Sequence, residues 1–377
     1  VNRTAESKHG VRMRTRRAMA GIAGAGVLAL VVTACGADGS DSGGSGDRAG
    51  ADSGKGTSKP VALTVESTVR EGTWTSSSAT QQVKIAPKRL TRGTAADLED
   101  VTMDEDLQGM VPYYLTVGYT NTGSDAVTGP GPEANFTVTV ADGTPGTPVN
   151  LWNANSLATA PSTSLPDDCD KAGPASVPPG GTATVCQLVM MPKGPEPATV
   201  AYSDETGGTL LWKVGDGKGD DGLLAAGTTA DSSWEDVTTK GAAVPIRVTP
   251  KSVRAGSLAD LRDYDLSDTS KNTVPWYVSV EYRNVGKQKL LPVMDDGVAL
   301  RSAGGRDVQP LLDLSISASK EGEGIDQCRG SVSNTRLQPN ATLTLCTIYL
   351  LPKGDRPAMV SFKGEGTGVK PLRWRAS

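Results

Sequence analysis

Histidine is almost missing from this chain: 377 residues contain one, His9. Because His9 lies in a stretch expected to be removed on export, the mature protein should hold no imidazole. That excludes Ser-His-Asp and Cys-His catalysis and histidine-based metal sites together. Aromatic residues make up only 4%, with two Phe, so any core must rest on Val, Leu, Ile, Met, Tyr and Trp. A helical hydrophobic period of useful length is also lacking. So is a bilayer-spanning run: the apolar stretch from Ala18 to Ala34 is largely Ala and Gly, short of the ~20 strongly apolar residues a spanning helix wants. Finally, positive charge is scarce outside the first 34 residues. Those hold six Lys or Arg against Glu6, leaving 32 basic and 41 acidic residues in the remainder. An acidic body argues against nucleic acid as a partner and against added binding to anionic lipid.

What is present begins with that basic head. Arg12, Arg14, Arg16 and Arg17 precede the apolar stretch, which closes on VVTAC at Cys35. Basic segment, apolar segment and small residues before a cysteine are the layout of a secretory signal, residues 1–34. The Thr33-Ala34-Cys35 junction resembles the lipobox of bacterial lipoprotein signals. The resemblance implies that Cys35 receives a diacylglycerol, becomes the new N-terminus and makes membrane lipid a partner; the alternative is a secreted chain with a stray cysteine. Arg16-Arg17 reads either as a twin-arginine export signal or as generic charge. Two or more acyl chains hold a protein stably where one does not. Residues 35–60 then read as a lipidated Cys and a disordered Gly/Ser/Asp tether with almost nothing to bury. The address is the outer face of a cell membrane, lipid-anchored.

The rest of the chain says things twice. Residues 87–123 laid over 250–286 without a gap give 14 identities in 37 positions, where roughly two or three are expected from ordinary residue usage. CQLVMMPKGPEPATVAY from Cys186 matches CTIYLLPKGDRPAMVSF from Cys346, and LLWKV ending at Val214 matches LRWRA ending at Ala376. The order is kept, as in a tandem duplication of a domain-sized unit. Within the repeated phrase Leu115, Val117 and Tyr119 alternate with Thr116, Gly118 and Thr120. Val278, Val280 and Tyr282 alternate with Ser279, Glu281 and Arg283. Period-two alternation predicts a strand with one face on a core and one toward water. Asn121 and Gly123, and Asn284 and Gly286, are expected to close it by tolerating positive φ. Further strands are predicted at 82–86, 135–140, 183–191 and 198–202, with counterparts in the second copy. Trp74 and Trp234 are expected just before the first strand of each copy, Trp212 and Trp374 in the last.

A strand ending in N-x-G, a turn at PPGGT (from Pro178) or QPNAT (from Gln338), a strand and then P-K-G resemble an immunoglobulin-like extracellular domain of unknown function from actinobacterial and firmicute lipoproteins. The second copy departs at Asn340, where the pattern prefers Gly. The resemblance implies an antiparallel sandwich without established catalytic residues. The reading is therefore all-β, with two tandem immunoglobulin-like β-sandwich domains at 61–214 and 243–377 and a linker at 215–242.

Five cysteines remain to be placed. With Cys35 lipidated, Cys169/Cys186 and Cys328/Cys346 are one pair per repeat, expected as disulfides that pin a long loop onto the following strand. Other motifs are weak. GKGDDG at Gly217 meets a dinucleotide-type glycine pattern without its strand and helix, and Ser317–Lys320 meets S-x-x-K without companions. The acid-rich stretches DLEDVTMDED (from Asp97) and DLRDYDLSD (from Asp260) read as solvated loops or as calcium ligands lacking the EF-hand spacing. No catalytic residue, metal or cofactor is expected. The function that fits is a non-catalytic binding module at the envelope whose partner is an unidentified protein or polymer. The alternatives are a glycan hydrolase built on paired carboxylates or a structural spacer of an envelope complex.

Overall fold

The computed structural model describes residues 61–377 except 76–78, 99–102, 130, 150–168, 170–172, 205, 217–221, 237–238, 240, 263, 265, 312–323 and 330–335. The expected signal, Cys35, the tether to residue 60 and His9 lie outside the described residues. Within these the protein is all-β: the strand ladders are antiparallel, and the helical turns are short 3₁₀ segments. No helix among the described residues is long and apolar enough to cross a membrane.

In the first half one sheet sets Val61–Leu63, Thr80–Arg92, Val111–Asn121, Thr182–Met191 and Thr147–Val149 side by side, with Arg70–Thr75 also paired to Thr80–Arg92. A second sheet of Phe136–Val140, Pro197–Ser203 and Thr209–Lys213 supplies the facing layer. One cluster draws on both sheets: Ile85, Leu115 and Val117 from the first, Val138, Val200 and Trp212 from the second. The second half repeats the plan. Ala230–Trp234, Val244–Ala255, Thr273–Asn284 and Thr342–Pro352 form one sheet; Asp307–Val308, Val298–Ser302, Pro357–Phe362 and Leu372–Arg375 form the other. Ile246, Val280 and Leu345 meet Leu300, Val360 and Trp374 between them. Two apolar faces closing on each other satisfy the alternation of every strand at once, and the result is a β-sandwich in each half.

Shared residues take matching posts. The Trp212 indole donates to the Thr68 carbonyl at 2.7 Å and the Trp374 indole to the Thr228 carbonyl at 2.8 Å, both rings fully buried. Pro87 and Pro250 stand where the register shifts by one residue against the repeated strand. A bulge spares the ladder the N–H that proline lacks. Gly180 and Asn340 both adopt positive φ, 76° and 64°. Asn is among the few side chains that enter this region cheaply, so the second copy's departure changes the residue and leaves the turn conformation in place.

Three expectations need correction. Asn121 and Asn284 do not have positive φ; they are fully buried staples. The Asn121 amide donates to the Asp125 and Val177 carbonyls (2.8 and 3.0 Å), and its oxygen accepts from the Gly123 N–H. Asn284 repeats this with Gln288, Leu337 and Gly286. The stretch 215–242 is not all linker, because Ala230–Trp234 is an edge strand of the second half, paired with Val244–Ala255, and Leu224 bridges to Trp374. Trp234, 4% exposed, needs that sheet to keep its ring out of water, and Trp74 likewise sits within a strand. Finally, the repeated strand in the first half is buried on both faces.

That second burial comes from a satellite cluster on the outer side of the sheet. Tyr114, Leu188 and Met190 are covered there by Leu98 and Cys169; in the second half Tyr277 and Ile348 are covered by Leu261 and Cys328. The covering pieces are the acidic turn and the cysteine loop, both too irregular in sequence to announce an apolar underside.

Candidate functional site

The residues singled out in the sequence are dealt with first. Cys169 is joined to Cys186 and Cys328 to Cys346, with Cα–Cα separations of 5.0 and 5.1 Å. Each bond fixes a loop cysteine to the strand crossing the outer face. Cys35, most of GKGDDG and the whole of SASK lie outside the described residues. The acid-rich stretches are only partly solvated. Asp97 is buried: it accepts from the Thr94 N–H at 2.9 Å and hydroxyl at 2.7 Å, with the Tyr114 hydroxyl at 3.5 Å. Asp260 accepts from the Ser257 N–H (3.0 Å) and the Tyr277 hydroxyl (2.9 Å). Burial, then the Asp260 carboxylate, pushes the Tyr277 phenol up to about 12. These aspartates tie the covering turn to the sheet, and no group of three His, Cys, Asp or Glu suited to a metal occurs among the described residues.

Among the described residues, one feature that could hold a ligand is a cleft where the two halves meet. It forms because the halves touch through small turns. Gly143 and Gly305, with φ of 79° and 88°, sit in hairpin turns after equivalent strands. A side chain on Gly143 would run into Arg301 and the Ser302 carbonyl, and one on Gly305 would meet Thr137, Thr139 and Pro145. Each turn thus rests on the strand end that precedes the other, the reciprocal pattern of a two-fold interface. The Thr139 hydroxyl donates to the Ala303 carbonyl at 2.9 Å, and the Arg301 guanidinium to the Thr144 hydroxyl at 2.6 Å. Elsewhere along the seam Thr209 N–H donates to the Lys353 carbonyl at 2.8 Å.

Beside these turns the seam opens into a cavity of about 380 Å³. Ala141, Ala198 and Leu211 line it from the first half, and Ala303, Pro357 and Ala358 from the second. Small apolar side chains cannot fill the gap between two sheets, so the gap stays open. Its charged side chains are Glu66, Lys213, Arg356 and Arg375, and Ser377 also lines it. Lys213 follows Trp212 and Arg375 follows Trp374; with the indoles turned inward, strand alternation turns the cations outward. Glu66 accepts from the Arg70 guanidinium at 2.9 Å, and that bond holds its carboxyl below the usual range. Arg70 also lies 5.3 Å from the centre of the Trp212 ring. With Glu66 matched by Arg70, the three other cations dominate the cleft.

Sequence reasoning passed over these three cations. The signal was there in LLWKV against LRWRA, where a cation occupies the same post in both copies, but which space that post faces is a property of the seam.

No protein-family model matches the chain, and no curated protein matches it. Among solved structures, a Bacillus subtilis chain described as a candidate lipoprotein is similar at 13% identity with a TM-score of 0.26, over 41% of this chain. The match spans 39% of that structure's length. A likeness so partial implies nothing about fold or activity here.

Proposed function

We propose that the protein is an extracellular lipoprotein: a pair of immunoglobulin-like sandwich domains, tethered through acylated Cys35, that binds an envelope component without catalysing a reaction on it. The N-terminal pattern supports the anchor, and the disulfides suit an oxidising compartment. The observation that carries the binding role is the open cleft at the junction, lined by both halves and walled by small side chains. Such junctions are where small-molecule sites preferentially form.

The test has two parts, both on the full chain expressed in a bacterium that processes lipoproteins. Cell fractionation should find the wild type with membranes and Cys35→Ser in the medium. A photo-crosslinking residue at Ala358 should capture one envelope component saturably, while the same group at exposed Glu105 should not. A wild type that keeps residues 1–34 would remove the anchor. Equal capture at both positions would remove the binding role.

A further inference from the structure

The reading of the cleft as a binding site leaves its ligand open, and the lining narrows the choice. Lys213 and Arg375, each at a strand end, and Arg356, in the turn before Pro357–Phe362, all line it. Among the described residues neither the Lys213 ammonium nor the Arg356 guanidinium has a hydrogen-bond or ion-pair partner within the protein. All three residues are exposed. Glu66, the one side-chain carboxylate in the lining, is held by Arg70 and by the Lys213 N–H at 3.3 Å, which leaves the Lys213 ammonium and the Arg356 guanidinium for a ligand. The surplus of positive charge is local, since beyond residue 34 acids outnumber bases by 41 to 32.

Size and wall chemistry add two more limits. A volume of about 380 Å³ is at the small end of the ~300–1,000 Å³ seen for small-molecule sites. Ala141, Ala198, Leu211, Pro357 and Ala358 add an apolar lining to the same cleft. Trp212 also lines the cleft, but its indole N–H is already given to the Thr68 carbonyl and cannot serve a ligand. A long polyanion is excluded at range by the acidic body and at contact by the size of the cleft. What remains is a compact molecule with one anionic end and an apolar remainder. Arg meets carboxylate and phosphate with two parallel N–H donors, which fixes orientation as well as charge.

We infer that the cleft between the halves binds a small organic acid, its carboxylate or phosphate held by Arg356 and Arg375 with Lys213 and its apolar part against the alanine-rich wall. This rests on the reading of the protein as a binding module and specifies what it takes.

Calorimetric titration of the exported chain at low ionic strength tests it with four probes: phenylacetate, phenyl phosphate, inorganic phosphate and the neutral phenylacetamide. At least one aromatic acid should bind saturably, and phenylacetamide at least tenfold more weakly, which is ~1.4 kcal/mol. Arg356→Gln/Arg375→Gln should lose about tenfold or more with the bound acid, since charge-assisted bonds are roughly twice as strong as neutral ones. Raising salt to 1 M, where the Debye length is ~3 Å, should weaken what remains. Ala358→Trp fills the wall without touching a charge and should abolish binding of both aromatic acids. Near-ultraviolet dichroism checks that each variant keeps its fold.

Absence of saturable binding by both aromatic acids overturns the inference, as does an affinity unchanged in the double arginine variant. Inorganic phosphate binding as tightly as phenyl phosphate would also overturn it, because the wall would then contribute nothing. If the acids fail while crosslinking at Ala358 still captures one component, the ligand class is wrong and the binding role stands. If both fail, the binding role falls with it.

Discussion

At the scale of single residues, the positions that recur in both halves are those whose chemistry cannot be replaced locally. Asn121 and Asn284 are the clearest pair. Each side chain is sealed from solvent and serves two carbonyls and one N–H in three different segments. Alanine at 284 would take the amide from the Gln288 carbonyl, leave the Leu337 carbonyl with the Leu290 N–H alone and strip the Gly286 N–H of its acceptor, and an unmet buried partner costs ~1–3 kcal/mol. Asn284→Ala should therefore lower unfolding stability by about 2 kcal/mol, read as a shift in urea midpoint at unchanged slope. Asn284→Asp should cost at least as much, because a carboxylate would face the Gln288 and Leu337 carbonyls with no N–H to give. A loss under 0.5 kcal/mol in both variants would mean that water replaces the amide. The asparagines were visible in the sequence as matched positions, but their assigned job was wrong. Turn statistics favour Asn for positive φ, and nothing in a linear string shows that its amide reaches residues 56 and 53 positions away.

At the scale of elements, the outer face of the sheet that carries each repeated strand is covered by a short 3₁₀ turn and by a cysteine held in a disulfide. The 3₁₀ turn at Leu258–Leu261 is closed by a capping box in which Ser257 and Asp260 exchange hydrogen bonds, and Asp260 also holds Tyr277. The cysteine loop lies on the same side, pinned by its disulfide. Closing a loop of this length removes ~3 kcal/mol of unfolded-state entropy in the chain-entropy account. Cys328→Ser/Cys346→Ser should lose about that much stability and should expose Tyr277 to iodination that the wild type resists. An unchanged midpoint with Tyr277 still protected would show that Leu261 and the capping turn suffice to cover the sheet. The strands beneath were readable from period-two alternation because an isolated strand already displays its two faces. The lid was not, since its apolar residues, Leu258, Leu261 and Leu266, are too few and too widely separated by Asp, Arg and Ser to mark a buried underside.

At the scale of the whole molecule, two sandwiches with separate cores touch through glycine turns, and the cleft is the gap left beside that contact. Gly143 is the sensitive point. It has positive φ, where a side chain is strained, and a Cβ would press on Arg301 and the Ser302 carbonyl. Gly143→Val should prise the halves apart while leaving each core folded. Small-angle scattering should then report a larger radius of gyration with an unchanged dichroism spectrum, and acid binding in the cleft should fall with it. An unchanged radius of gyration would mean that the remaining seam, Thr209 to Lys353 included, holds the halves unaided.

The linear sequence alone determined the strand-forming phrases, the paired cysteines and the repeated Trp, Asn and Pro positions. Each of these is announced by neighbours a few residues away or by its own copy: alternation, spacing, identity. Tertiary structure alone decided that Ala230–Trp234 pairs with Val244–Ala255 in the second half, that Asp97 turns inward and that Lys213, Arg356 and Arg375 share one cavity. Those facts depend on which surfaces meet, and surfaces meet through residues more than a hundred positions apart, such as Thr139 and Ala303. Burial and shape complementarity act over distance in space, and one-dimensional order carries no measure of it.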